Sequence, residues 1–310
     1  MAGARRINLA LQGGGAHGAV TWGVLDRLLE ADRIAIEAIS GTSAGALTAA
    51  ALAYGLHEGG AGTARARLDR LWREMSLLGQ WTNPVRRTPF DRATGDYNVE
   101  GSPGYWWFEW LTRTFSPSQI NPFALNPLKT LLEKVIDFDQ LRRCDAVKLF
   151  INATNVRTGK VKIFRVEQIS ADVVLASACL PHLFRAVEVD GEFYWDGGYT
   201  GNPALFPFFY DADSRDIVLV HVNPLTREKV PETASEIANR LNEISFNSAL
   251  LGELRAIGFV KKLLKQEWLK PEYRDYLKNI RIHSIRSDRA LDDLIDIVTV
   301  NRLHYSDRTE

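Results

Sequence analysis

Cysteine is almost missing from these 310 residues: Cys144 and Cys179 are the two. Neither falls in a CxxC or a zinc-ligand spacing, so no disulfide framework or metal site is implied, and a reducing cytosol is the expected setting. An excess of one charge is missing as well, with 38 Lys and Arg against 38 Asp and Glu. Nucleic-acid binding draws on a basic excess that displaces counterions from phosphates, so that class of partner is set aside. No apolar run reaches the roughly 18 residues of a membrane-spanning helix. After Arg5-Arg6, the apolar stretch Ile7–Leu11 is too short for the core of an export signal and runs straight into glycines.

What is present is an ordinary globular composition, 45% hydrophobic and 25% charged. The chain is long enough for one large α/β domain with a substantial core. Ile7–Leu11 reads as a buried strand, and Ala16–Ala31 has its apolar residues at helical spacing. A second strand, Ile34–Ser40, leads into a helix of small apolar residues, Ala44–Leu56, followed by an amphipathic helix over Arg65–Leu78. Strand–helix alternation of this kind argues for a mostly parallel sheet with crossover helices. Further helices are expected at Leu128–Ile136 and Ala171–Cys179, and strands at Val147–Ala153, Val161–Val166 and Ile217–Val222. Asp190-Gly191 between Val187–Val189 and Phe193–Trp195 is a hairpin signal. From Thr233 the pattern is mostly helical, with Ile280–Ile285 as a candidate strand. The expected division is a core over residues 5–225 and a mainly helical C-terminal extension over 226–310 packed on that core.

Three motifs carry chemistry. Gly41-Thr42-Ser43-Ala44-Gly45 is a G-x-S-x-G between an expected strand and an expected helix. A serine there stands on a sharp turn, and the helix N-terminus behind it offers N–H groups to a developing anion. Gly13-Gly14-Gly15-Ala16-His17-Gly18 follows the first strand, and bare glycine amides can approach a carbonyl oxygen as it becomes an oxyanion. The same stretch fits G-x-G-x-x-G, so a nucleotide loop is a rival reading; Asp32 and Glu37 are the nearby acids, and neither falls at the end of the second strand. The third motif is Asp196-Gly197-Gly198 after the hairpin. An α/β-hydrolase triad needs a histidine after its acid, but His283 sits in an apolar alternation and His304 in a polar tail. Only one expected strand–helix unit precedes Ser43, so Asp196 acting directly on Ser43 is the economical solution.

In this order the three motifs resemble the patatin-like phospholipases, which carry a G-G-G-x-[Arg/Lys]-G loop, a G-x-S-x-G elbow and D-G-[Gly/Ala]. Ala178-Cys179-Leu180-Pro181 with Phe184 also looks like that family's segment before the hairpin. The resemblance covers about residues 7–225. It implies a three-layer α/β/α fold and metal-free, cofactor-free hydrolysis of lipid or other acyl esters through an acyl-serine. The implied roles are Ser43 and Asp196 as the catalytic dyad, with the amides of Gly13, Gly14, Gly15 and Ala44 as the oxyanion hole. Short-chain or polyhydroxyalkanoate-type esters are a rival substrate class, and a non-catalytic nucleotide-binding protein a rival function.

His17 departs from the family pattern, standing where Arg or Lys is usual; it either orients the loop or is structural. Tyr105-Trp106-Trp107-Phe108-Glu109-Trp110 reads as an exposed lid or as a core helix face, the lid being favoured because the surrounding sequence is irregular. Lys261, Lys262, Lys265 and Lys270 around Trp268 read as a solvated face or as a peripheral membrane contact.

Overall fold

A computed structural model of the chain describes residues 4–31, 33–82, 107, 114–121, 126–270 and 276–286. Strands β1 (Arg5–Leu11), β2 (Ile34–Gly41), β3 (Lys148–Asn155), β4 (Val161–Arg165), β5 (Val187–Val189), β6 (Glu192–Trp195), β7 (Asp216–His221) and β8 (Arg281–Arg286) form one sheet in the order β5-β6-β3-β2-β1-β7-β8, with β4 paired to β3. The β1–β2, β2–β3, β1–β7 and β7–β8 pairs are parallel. The hairpin β5–β6 and the β3–β4 and β3–β6 pairs are antiparallel. The expected tight turn is there: Asp190 and Gly191 both have positive φ, 52° and 78°, as a type I′ hairpin requires.

Period-two alternation divides the core into two layers. Ile7, Leu9 and Leu11 of β1 point into a cluster shared with α1 (Gly18–Glu30), α2 (Ala44–Thr82), α3 (Pro127–Val135) and α4 (Ala171–Ser177). Ala10, Ala38, Ile217 and Leu219 point the other way, against α5 (Phe206–Asp211) and α6 (Ala234–Lys265). Helices therefore cover both faces, and the fold is α/β/α. The two helices expected at Ala44–Leu56 and Arg65–Leu78 are the halves of α2, broken at Gly59 and Gly60, where φ is −172° and 75°.

The described part of the C-terminal stretch packs on the core. α6 packs on one sheet face, and β8 extends the sheet as a parallel strand beside β7. Among the described residues, no helix is long and apolar enough to cross a membrane.

Buried Asp216 pins this edge. It accepts from Arg5 Nη2 (2.9 Å) and Arg281 Nε (2.8 Å) and lies 2.7 Å from His283 Nε2. Arg281 first, then His283 and Arg5, hold its carboxyl well below the usual range. A depressed carboxyl pKa stabilises the fold above the unfolded value near 4, and the gain fades as pH falls through the folded value. Asp216→Asn should lower the denaturant midpoint at pH 7, with the gap to wild type narrowing below about pH 4. A gap that stays constant on acidification would contradict this role.

Candidate active site

The parallel register brings the motifs together. Leu11 pairs with Gly41 and with Val220, and Gly41 pairs with Ile151. The next residues, Gln12, Thr42, Asn152 and His221, therefore lie along one row at or beyond the carboxyl ends of the parallel strands, where open α/β sheets place their ligands. β6 runs antiparallel to β3 with Trp195 opposite Thr154. The chain leaving β6 is thus carried back along β3 toward Asn152, and Asp196 arrives beside the β2 turn.

Ser43 occupies that turn with φ +54°, a strained value for a non-glycine residue that holds the hydroxyl up from the backbone. The turn fits because glycine flanks it. A Cβ on Gly45 would stand 2.2 Å from Leu11 O, and one on Gly41 2.5 Å from Gly45 O. The Ser43 amide donates to Ser177 Oγ at 3.0 Å. The serine itself is half-buried and not sealed from solvent.

Asp196 is fully buried. Its amide donates to Cys179 O (2.8 Å), its carbonyl accepts from Thr154 Oγ1 (2.8 Å), and its Oδ1 accepts from the Gly198 amide (2.7 Å). Burial pushes its pKa up to about 7, against the lowering effects of the Gly198 amide and the Ser43 hydroxyl. Oδ2 is buried and meets no partner of full hydrogen-bond geometry. The Ser43 hydroxyl is within interacting range of the Asp196 carboxyl. Burial, with the Asp196 charge adding to it, pushes the nearby Cys179 thiol up to about 12, so it is not a nucleophile.

Thr42 and Asn152 join the two turns. The Thr42 hydroxyl points its donor toward Asn152 Oδ1 and Gly201 O, and Asn152 Nδ2 donates to Gly197 O (3.0 Å) and Gly201 O (2.7 Å). A side chain at Gly197 would meet Asn152 O at 2.2 Å, so the acid turn is pressed against β3.

The glycine loop is anchored at Gly13. Its amide donates to Asn202 Oδ1 at 2.7 Å, and its carbonyl accepts from Asn223 Nδ2 at 2.5 Å. The Gly13 N–H is thus engaged by Asn202 in this structure; a Cβ there would stand 2.6 Å from Ser43 Cβ, so the residue seats the loop against the serine. Among the described residues no acceptor bonds the amides of Gly14, Gly15 or Ala44. Gly15 is exposed and holds φ +58°. Behind the loop, Gln12 Oε1 accepts from Val222 and Asn223 amides (2.8 and 2.9 Å), and its Nε2 donates to Asn247 Oδ1 (2.8 Å).

Of the two acids near the rival nucleotide loop, Asp32 lies outside the described residues. Glu37 is buried and accepts from the Asp213 and Ser214 amides, and the β2 end is filled by Ser40, bonded to Ala204 O. His17 is half-buried in the short 3-10 turn Gly15–His17. Trp107 is exposed, while the remainder of Tyr105–Trp110, read as a lid or a core face, lies outside the described residues. Among the described residues no cluster of side chains has the makings of a metal site. Thr42, Asn152, Ser177, Asn202 and Asn223 carry no motif signature; only the strand register could have pointed to Thr42 and Asn152.

A family model described as patatin-like phospholipase matches residues 9–209. That is more than half of the chain, which belongs to this family of ester-hydrolysing enzymes. Among solved structures the chain is similar to VipD from Legionella pneumophila, with 15% identity and a TM-score of 0.39 over 98% of this chain and 67% of that one. It is also similar to the type III effector protein ExoU, with 15% identity and a TM-score of 0.33 over 82% of this chain and 53% of that one. No curated protein matches.

Thr42→Val should cost about 1–3 kcal/mol, because it strips a buried acceptor of its donor, and should slow ester hydrolysis with KM little changed. Thr42→Ser should restore both. Equal turnover in the Val and Ser variants would show that the hydroxyl does not align the turns.

Proposed function

We propose, from membership of the patatin-like phospholipase family, that this chain hydrolyses the carboxylic ester bonds of lipids with Ser43 as nucleophile and Asp196 as its base. The observation that carries this reading is the pair itself: a serine held at positive φ on an accessible turn beside a fully buried carboxyl whose pKa is pushed up to about 7. A base of that strength takes a proton near neutral pH and releases it again, which is what acyl transfer asks of it.

Asp196 accepts the Ser43 proton as Oγ attacks the ester carbonyl. Negative charge then builds on the carbonyl oxygen, and the amides of Gly14, Gly15 and Ala44 are the donors proposed to hold it, helped by the N-terminus of α2. Collapse of the tetrahedral species breaks the bond to the leaving alcohol, which takes the proton from Asp196. Water then attacks the acyl-serine, Asp196 taking its proton and returning it to Ser43 as the acid departs. Each step conserves protons between serine, carboxyl and alcohol or water, with no metal or cofactor called on. The Ser43–Ser177 bond keeps the serine amide out of the hole and fixes the turn instead.

A raised carboxyl pKa has two opposed consequences. The base must be ionised to act, so log kcat/KM should fall with unit slope as pH drops below about 7. For stability the sign reverses. The protonated form favours the fold fully below the unfolded pKa near 4, and that contribution is lost as pH rises through about 7. Asp196→Asn should therefore reduce ester turnover by about 10³-fold or more yet raise Tm above pH 7, the gain vanishing near pH 4. An Asn variant that keeps wild-type turnover would refute the base. An acid limb unmoved from the usual carboxylate range would refute the role of burial.

A further inference from the structure

We infer that the outer face of α6 docks the enzyme on an anionic lipid surface. This rests on the lipid-hydrolase reading for its biological sense, but the surface stands on its own geometry. The inner face of α6 is committed to the fold: Leu250 and Ile257 are buried in the core, and Phe246 packs on Tyr199 with ring centroids 5.0 Å apart. The opposite face is apolar, and its described side chains are exposed. Ile237, Leu241, Ile244, Leu251 and Phe259 recur at steps of three and four, or multiples of them, so they lie along one stripe. Leu241 is 59%, Ile244 52% and Phe259 58% exposed, and Trp268 just past the helix end is 60% exposed. An apolar stripe of this extent on a water-soluble surface marks a contact site.

Charge selects the occupant. From Arg240 to the end of α6 the acidic residues are Glu243 and Glu253, and both are engaged on the inner side. Glu243 pairs with Arg227 and Arg240, and Glu253 accepts from the Leu205 and Phe206 amides. Over the full span from Glu236 to Trp268 the exposed acids are Glu236 and Glu267, one at each end, and between them the outward charged groups are the cations Arg255, Lys261, Lys262 and Lys265. Among the described residues no carboxylate pairs with Arg255, Lys261 or Lys265. Lys262 lies over the Trp268 ring at 5.3 Å. An apolar stripe, a basic end and a tryptophan suited to the polar–apolar boundary make an interfacial helix for lipids bearing negative headgroups. A protein groove or a second copy would satisfy the apolar residues but leave the uncompensated cations without a partner.

The test is sedimentation of the full chain with vesicles of phosphatidylcholine alone and of phosphatidylcholine mixed with phosphatidylserine. Wild type should partition to the mixed vesicles at least about tenfold more strongly, with added salt reducing the difference. Leu241→Ser/Leu251→Ser/Phe259→Ser and, separately, Lys261→Glu/Lys265→Glu should each lower that partition by about tenfold or more. Both should leave hydrolysis of a soluble p-nitrophenyl ester unchanged, because these side chains are exposed and lie outside the site. Wild-type partition of the triple Ser variant would overturn the docking face. Equal binding to the two vesicle types would overturn the choice of an anionic surface. A dimer in solution that the triple variant dissociates would assign the stripe to a second copy instead. Loss of soluble-ester turnover in wild type would sink the hydrolase reading while the sedimentation still judged the surface.

Discussion

One buried side chain, Asn152, holds two turns of chain that are far apart in sequence against each other. Its carbonyl meets Thr42, the residue before Ser43, and its amide meets the carbonyls of Gly197 and Gly201, just after Asp196. Every polar atom in that contact is removed from water, so leaving one without a partner costs more than the bond itself contributes. The contact is possible because Thr42 and Asn152 follow paired residues of adjacent parallel strands and because β6 returns antiparallel along β3. Sheet register thus does for this site what sequence proximity cannot.

The site stores unfavourable terms that this frame sustains. Ser43 sits in a backbone region that side chains disfavour, and Asp196 carries a carboxyl into a place where its charge is poorly solvated. Both are local costs to stability, carried by the two groups that exchange a proton in the proposed mechanism. Asn202 and Asn223 hold the two ends of the Gly13 peptide, so the loop beside the serine is fixed through buried amides as well.

Much of this was legible in the sequence, though unevenly. The strand–helix order, the Asp190-Gly191 turn and the glycine-flanked serine follow from local rules: alternation, positive φ, and the space that a missing Cβ leaves. The α/β/α layering and the family followed from the order of three motifs. What stayed hidden depends on long-range register. Asn152 reads as a polar residue in a strand, and nothing local marks it as the joint between elbow and acid turn. Gly13 reads as one more amide of the glycine loop until Asn202, 189 positions on, is seen to occupy it. In the C-terminal stretch the strand at β8 was legible from its alternation, but its parallel pairing with β7 is again a matter of register. The aromatic segment before residue 114 lies mostly outside the described residues.

The central claim is that a buried carboxyl makes one particular hydroxyl reactive. Its most direct measure is peptide mass mapping after reaction with a fluorophosphonate, following the rate of adduct formation. The account predicts a single phosphonyl adduct per chain on Ser43, formed faster as pH rises through about 7. An adduct on any other residue, or one on Ser43 whose rate ignores that ionisation, would contradict it.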